Sequence, residues 1–127
     1  MTQKWIGLCL LLGALALAGC VTSTVTNLTA TTQPRNASNL YPIEYQWDTT
    51  QQTIKPDSIQ PYVMVGFDSY EMRPTLRMTN RWEALVPVPA DKNVITYRFK
   101  VEYEYRRFGD KPGKASKGTP EYKLYIK

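Results

Sequence analysis

Residues 94–108 read VITYRFKVEYEYRRF, and every second position from Tyr97 to Tyr105 holds an aromatic or aliphatic side chain. The positions between them hold Arg98, Lys100, Glu102 and Glu104, and Arg106 follows Tyr105. Successive side chains of a strand point to opposite faces of the sheet. This period of two therefore predicts a long strand with one apolar and one charged face, as in an antiparallel sheet that covers a core on one side.

The same alternation recurs on both sides of this stretch. It is clear in residues 41–47, YPIEYQW, and in residues 81–88, RWEALVPV. Shorter apolar runs at 59–65, 69–72 and 121–127 predict further strands, and Pro61 indicates an edge or a bulge at the start of the first of them. About seven short strands separated by turn residues predict an all-β fold, an antiparallel sandwich.

The remaining segments of the chain are polar. Residues 109–120, GDKPGKASKGTP, are rich in glycine, proline and lysine and are interpreted as a mobile loop. Residues 20–39 are rich in threonine, serine and asparagine and are interpreted as a short tether, in which residues 24–29 are compatible with a first edge strand. The main domain is expected to span residues 40–127.

Two stretches carry a resemblance to a known family. Residues 62–74, YVMVGFDSYEMRP, place a Tyr-x-Met strand after a glycine turn, and residues 81–101 place a tryptophan strand ending in prolines before a strand that starts Tyr-x-Phe. This pattern resembles the early-set immunoglobulin-like domains found beside carbohydrate-active enzymes. The resemblance implies an immunoglobulin-like β-sandwich. Some of these domains bind glucans through paired tryptophans, but only Trp82 could match here, and its phase predicts a core position.

The first 19 residues have the features of an export signal. Lys4 precedes the run WIGLCLLLGALALA at residues 5–18, which is shorter than the roughly 20 residues that a membrane-spanning helix needs. The following Leu17-Ala18-Gly19-Cys20 resembles the lipobox of bacterial lipoproteins. That resemblance implies cleavage before Cys20, a lipid on its sulfur and attachment to a membrane of the cell envelope. Because Val21 is not the aspartate associated with inner-membrane retention, the outer membrane is favoured.

Composition excludes several classes of function. The chain of 127 residues has no histidine, and its two cysteines are Cys9 and Cys20. Histidine-based triads, Cys/His zinc sites and a disulfide framework are therefore excluded. Glu102 and Glu104 share one strand face, but a solvated, charge-paired surface accounts for them better than a catalytic carboxylate pair does. We expect no enzymatic activity, no cofactor and no metal, and the export signal argues against nucleic acid as a partner.

Basic residues provide the candidate binding site. The formal net charge is +5, and Arg106, Arg107, Lys111, Lys114 and Lys117 lie close together in sequence. Such a cluster beside a membrane could hold an anionic glycan, a lipid headgroup or an acidic protein. Tyr62, Tyr70 and Tyr125 could add exposed rings. The sequence thus predicts a membrane-anchored, non-catalytic lipoprotein that binds or supports an envelope assembly. The alternative is a carbohydrate-binding module that recognises an envelope or extracellular polysaccharide.

Overall fold

Ten strands and one 3₁₀ turn form residues 21–127, the part of the chain that this computed structural model describes. The predicted signal peptide and Cys20 lie outside the described residues. The strands are β1 (Ser23–Asn27), β2 (Thr32–Gln33), β3 (Leu40–Thr49), β4 (Gln60–Val65), β5 (Asp68–Glu71), β6 (Arg73–Pro74), β7 (Arg81–Pro87), β8 (Val94–Tyr105), β9 (Gly113–Gly118) and β10 (Tyr122–Ile126), with the 3₁₀ turn at Pro56–Ser58.

The strands form two sheets. One has the order β1-β3-β7-β6, and the other has the order β2-β10-β8-β4-β5, with β9 also paired to β8. Neighbours are antiparallel except for β2 and β10, which are parallel. The chain passes from the second sheet to the first between β5 and β6, at the buried Met72. The predicted all-β, immunoglobulin-like sandwich is confirmed.

The core lies between the two sheets and is rich in aromatic rings. The Tyr45 ring packs 4.8 Å from that of Phe99, and the Trp47 ring 5.1 Å from that of Tyr103, so each pair joins β3 to β8 across the layers. The predicted inward phases of β3, β7 and β8 are all confirmed as buried, apart from the half-buried Tyr105. A shift of β3 or β8 by one residue would expose these rings, so burial sets the register of both strands.

A side-chain hydrogen bond from Gln60 compensates for the missing N–H of Pro61 inside the second sheet. The sequence predicts an edge or a bulge at Pro61, but β4 lies between β8 and β5, and Pro61 pairs with Val101. The Pro61 carbonyl still accepts a hydrogen bond from the Met72 N–H at 3.0 Å. Proline has no N–H to return to the Met72 carbonyl. The side-chain amide of Gln60 donates to that carbonyl instead, at 3.0 Å.

Strands β9 and β10 follow one another along the same side of β8. Gly118 pairs with Lys100, and Tyr122 pairs with Tyr97, so residues 119–121 face only residues 98–99. One extra residue in one strand of a pair is a β-bulge. Thr119 fits the bulge to β8 because its N–H donates to the Phe99 carbonyl at 3.0 Å and its Oγ1 accepts the Phe99 N–H at 3.0 Å.

The sandwich has two ends with different loops. The end that we call the near end holds residues 21–22, at the start of β1, and the segments 50–53, 75–80 and 106–112. Hydrogen bonds hold this end together: Thr50 N–H donates to the Thr22 carbonyl at 2.9 Å, Trp47 N–H to the Asn80 carbonyl at 3.1 Å, and Arg106 N–H to the Thr53 carbonyl at 2.8 Å.

The opposite end, which we call the far end, holds segments 34–39 and 88–93 and the turn 66–67. The Val88 N–H donates to the Asn39 carbonyl at 2.9 Å. Met64 pairs with Arg98, so the β4–β5 turn lies beside the start of β8. Gly66 occupies this turn with a φ of 60°, a conformation that glycine adopts at little cost, and Phe67 is fully exposed at its tip. Within residues 21–127, no helix has the length and apolar character needed to cross a membrane.

Candidate functional site

The basic residues singled out from the sequence fall into two groups in the structure. Arg106, Arg107 and Lys111 lie in the β8–β9 loop at the near end, whereas Lys114 and Lys117 lie on β9. The prediction that residues 109–120 form a mobile loop is therefore wrong for Gly113–Gly118, which pairs with β8 over its whole length. Only residues 106–112 form the loop, and the five basic side chains do not make one cluster.

Small residues explain why β9 was missed in the sequence. Gly113 is buried against the ring of Tyr105, and a Cβ atom at this position would overlap the ring atoms. Ala115, two residues later, is half-buried and packs on the core. The inward phase of β9 thus holds a glycine and an alanine where other strands hold rings. Because glycine, lysine and alanine are depleted in strands, the composition of this segment favours a loop over a strand.

Lys117 is held by contacts within the fold. Its ammonium group donates to Ser23 Oγ at 3.1 Å and lies 5.9 Å from the centre of the Trp47 ring, within reach of a cation–π interaction. Ser23 Oγ in turn donates to Thr49 Oγ1 at 3.0 Å. The indole N–H of Trp47 is buried and has no acceptor among the described residues. Lys117 therefore links β9 to the first sheet.

The near end carries basic and apolar side chains from two separate loops. The β6–β7 loop adds Arg77 to the three basic residues of the β8–β9 loop, and Asp110 is the only acidic residue of the near-end segments. Phe108 is fully exposed and Leu76 is 87% exposed. Leu76 and Arg77 could not be identified from the sequence, because no local pattern brings residues 75–80 and 106–112 to the same end. Only the pairing order of the sheets does so.

Asp48 fixes the loop that carries Leu76 and Arg77. Its carboxylate accepts hydrogen bonds from the Gln46 side-chain amide at 2.8 Å and from the Asn80 side-chain amide at 2.6 Å. These hydrogen bonds, with a smaller contribution from the charge of Arg81, lower the pKa of Asp48. The carboxylate therefore stays ionised and joins the end of β3 to the end of the loop.

The first described residues are tied directly to the fold. The Thr22 N–H donates to Thr50 Oγ1 at 2.8 Å, and the Thr22 carbonyl accepts the Thr50 N–H. Strand β1 then pairs with β3 from Ser23 to Asn27. Residues 20–39 are predicted to be a short tether with a possible first edge strand at 24–29, and within the described residues 21–39 the structure has β1 and β2.

The outward face of β8 borders an open groove of about 800 Å³. Its lining includes Asp57 and Ser58 of the 3₁₀ turn and the charged residues Lys55, Lys114, Glu102 and Glu104. Glu104 pairs with Lys55 at 3.5 Å and Glu102 with Lys100 at 3.1 Å, as expected for a solvated, charge-paired face. A lysine thus pairs with each of the two carboxylates, which does not favour a catalytic pair.

The three tyrosines expected as exposed rings do not form a common surface. Tyr62 and Tyr70 are half-buried, and Tyr125 lies at the far end with 40% of its surface exposed. Partial burial, together with the nearby carboxylates of Glu102 and Glu71, raises the pKa of Tyr62 and keeps its hydroxyl protonated. This separation does not favour a ring platform for sugars.

Neither metal ligands nor known relatives identify the protein. Within residues 21–127, no group of three or more acidic or cysteine side chains is placed to hold a metal ion. Comparison with models of protein families, with curated proteins and with solved structures finds no match to this chain. Inference about function therefore depends on its own residues, above all on those of the near end.

Proposed function

We propose that this chain is a membrane-anchored, non-catalytic lipoprotein of the cell envelope. Its sandwich domain acts as a binding or structural module in an envelope assembly. The anchor is lipid on Cys20, and the outer membrane is the favoured location. The proposal draws on the signal-like sequence of residues 1–19 and on the lipobox-like run that ends at Cys20.

The observation that carries the proposal is the position of the first strand. Thr22 is already hydrogen-bonded to Thr50, and β1 begins at Ser23. Strand β1 thus begins three residues after Cys20, the residue that the lipobox pattern marks as the mature N-terminus. Cleavage before Cys20 would leave every described strand intact, which supports the proposal.

A non-catalytic role is supported by the state of the acidic side chains. Glu102 and Glu104 form ion pairs on an open sheet face, and the Asp48 carboxylate is held by two amides. Each of these carboxylates has a structural partner. Ion pairs and hydrogen bonds of this kind are typical of carboxylates with a structural role on a solvated surface, which supports binding as the proposed role.

Cysteine substitution tests the anchor. We expect the wild type and Cys9→Ser to incorporate a palmitate analogue and to remain in the membrane fraction after a high-salt wash. Cys20→Ser should incorporate none and should accumulate as a precursor or as soluble protein, because the acylated sulfur is lost. Cys9→Ser is the matched control, since it changes a cysteine of the same signal region. Normal processing and retention of Cys20→Ser would contradict the proposal.

A further inference from the structure

We propose that the near end of the sandwich is a membrane-contact surface that binds the anionic headgroups of the leaflet carrying the anchor. The surface consists of Leu76, Arg77, Arg107, Phe108 and Lys111. The inference rests on the proposed lipidation of Cys20, and it names the bilayer itself as a partner of the protein domain.

The length of the connection between lipid and fold is the first argument. Two peptide units separate Cys20 from Thr22, so the Cα atoms of these residues are at most about 7 Å apart. The headgroup layer of one leaflet is itself roughly 5–7 Å thick. An acyl chain on Cys20 that enters the hydrocarbon therefore brings the near end into the headgroup layer or directly against it.

The rigidity of the connection is the second argument. Chain termini are usually poorly ordered unless they are tied down. Here the first residues are tied down: Thr22 bonds to Thr50, and Ser23 Oγ accepts a hydrogen bond from Lys117 and donates one to Thr49. The domain cannot swing freely on a long linker, so the same loops face the membrane continuously.

The chemistry of those loops is the third argument. Phe108 and Leu76 protrude from two different loops and are almost entirely exposed, although large apolar side chains are otherwise mostly in the core. Arg107 and Lys111 flank Phe108, and Arg77 follows Leu76. Apolar tips flanked by basic residues match a bilayer surface, where rings and aliphatic groups enter the interface and cations remain beside the phosphates.

The geometry of the β8–β9 loop keeps its charges available. The Arg107 Nε donates to the Lys111 carbonyl at 3.1 Å, which closes the loop beneath Phe108. That bond uses one N–H of the guanidinium group, and the remaining donors can reach a phosphate oxygen. Asp48 similarly holds the base of the loop that bears Leu76 and Arg77.

Two cysteine probes, each the only free thiol of the cleaved and acylated chain, test the orientation. The full chain carrying Phe108→Cys or Phe67→Cys is purified in detergent, labelled with an environment-sensitive fluorophore and reconstituted into phosphatidylethanolamine–phosphatidylglycerol vesicles that contain spin-labelled lipid. Phe67 is the matched control because it is an equally exposed phenylalanine at the far end. We expect strong quenching and a blue shift at position 108 and neither at position 67. Two equally solvated probes, or stronger quenching at position 67, would overturn the inference.

Removal of positive charges tests the preference for anionic headgroups. Arg107→Gln with Lys111→Gln should reduce the ratio of docked to undocked position-108 probe about fivefold for each charge removed. Lys92→Gln with Lys127→Gln removes two positive charges at the far end and should leave quenching unchanged. Vesicles of phosphatidylcholine alone should quench less than anionic vesicles do. Equal quenching in the two lipids, or equal effects of the two double variants, would contradict anionic headgroups as the partner.

The intact mass of the purified protein separates the two proposals. A mass without acyl chains contradicts the proposed anchor, whatever the probes report. An acylated protein whose position-108 probe remains in water contradicts only the membrane-contact surface.

Discussion

At the scale of single residues, the glycines of β9 show how composition conceals a strand. Position 113 requires glycine because the ring of Tyr105 occupies the space that a side chain would need. Gly118, at the other end of the same strand, meets nothing nearer than the Phe99 carbonyl oxygen at 3.9 Å. The two glycines lie at opposite ends of the same strand and differ in packing.

This difference predicts opposite outcomes of one substitution. Gly113→Ala should lower the free energy of unfolding by about 1–3 kcal/mol, because Tyr105 must leave its position to avoid overlap. Gly118→Ala should be neutral or stabilising by up to about 1 kcal/mol, because it restricts the unfolded chain without a clash. Urea denaturation of both variants measures the effect. Equal destabilisation would mean that Tyr105 does not pack on Gly113.

At the scale of elements, β8 organises the molecule. It contacts β4 on one side and β9 and β10 on the other, and its inward rings meet β3 across the core. Its alternation made its two faces predictable from the sequence. Strand β9 was not predictable in the same way, since its inward positions hold small residues. The position of Pro61 inside a sheet was also unpredictable, because the compensating amide of Gln60 is visible only in the structure.

The two faces of β8 should respond differently to truncation. Phe99→Ala should cost about 3–5 kcal/mol, because it removes a fully buried ring that contacts Tyr45 and Tyr97. Arg98→Ala, one residue earlier on the exposed face, should cost less than about 0.5–1 kcal/mol. Domains of this size are stable by roughly 5–15 kcal/mol, so Phe99→Ala could leave much of the protein unfolded. Chemical denaturation distinguishes them, and similar losses for both would show that β8 is buried on both faces.

At the scale of the whole molecule, buried tyrosines link stability to alkaline pH. Burial raises the pKa of Tyr45 well above its ordinary value of 10.0, with a smaller contribution from Tyr122, and burial also raises the pKa of Tyr103. The folded state therefore holds these phenols neutral at a pH where the unfolded chain has begun to ionise them. Their contribution to stability is complete below about pH 10 and is lost as the pH rises further.

We therefore expect the free energy of unfolding to be nearly constant from pH 8 to about pH 9.5 and to fall above about pH 10. The slope should reach up to about 1.4 kcal/mol per pH unit for each tyrosine that ionises only on unfolding. Tyr45→Phe should reduce this slope while leaving stability near neutral pH little changed. Denaturation curves at several pH values, with tyrosinate absorbance as a second readout, measure both. An unchanged slope in Tyr45→Phe would exclude Tyr45 as a source of the pH dependence.

The candidate site could be predicted from the sequence less completely than the fold, because it depends on how the whole chain is arranged. Arg106, Arg107 and Lys111 were recognisable from their spacing alone. Their neighbours Leu76 and Arg77 lie about thirty residues earlier, and only the order of strands in two sheets places both loops at the end where β1 starts. Lys114 and Lys117 were grouped with the first three by sequence distance, but strand pairing directs them elsewhere.

The twelve residues of β8 also set the height of the domain from its near end to its far end. At roughly 3.3 Å per residue the strand is about 40 Å long. With the near end on the bilayer, the Phe67 turn would stand about that far above the lipid, and the short connection at Cys20 would not let it extend further. Any partner of the far end would have to approach within that distance of the leaflet, so the domain would act as a spacer of defined length.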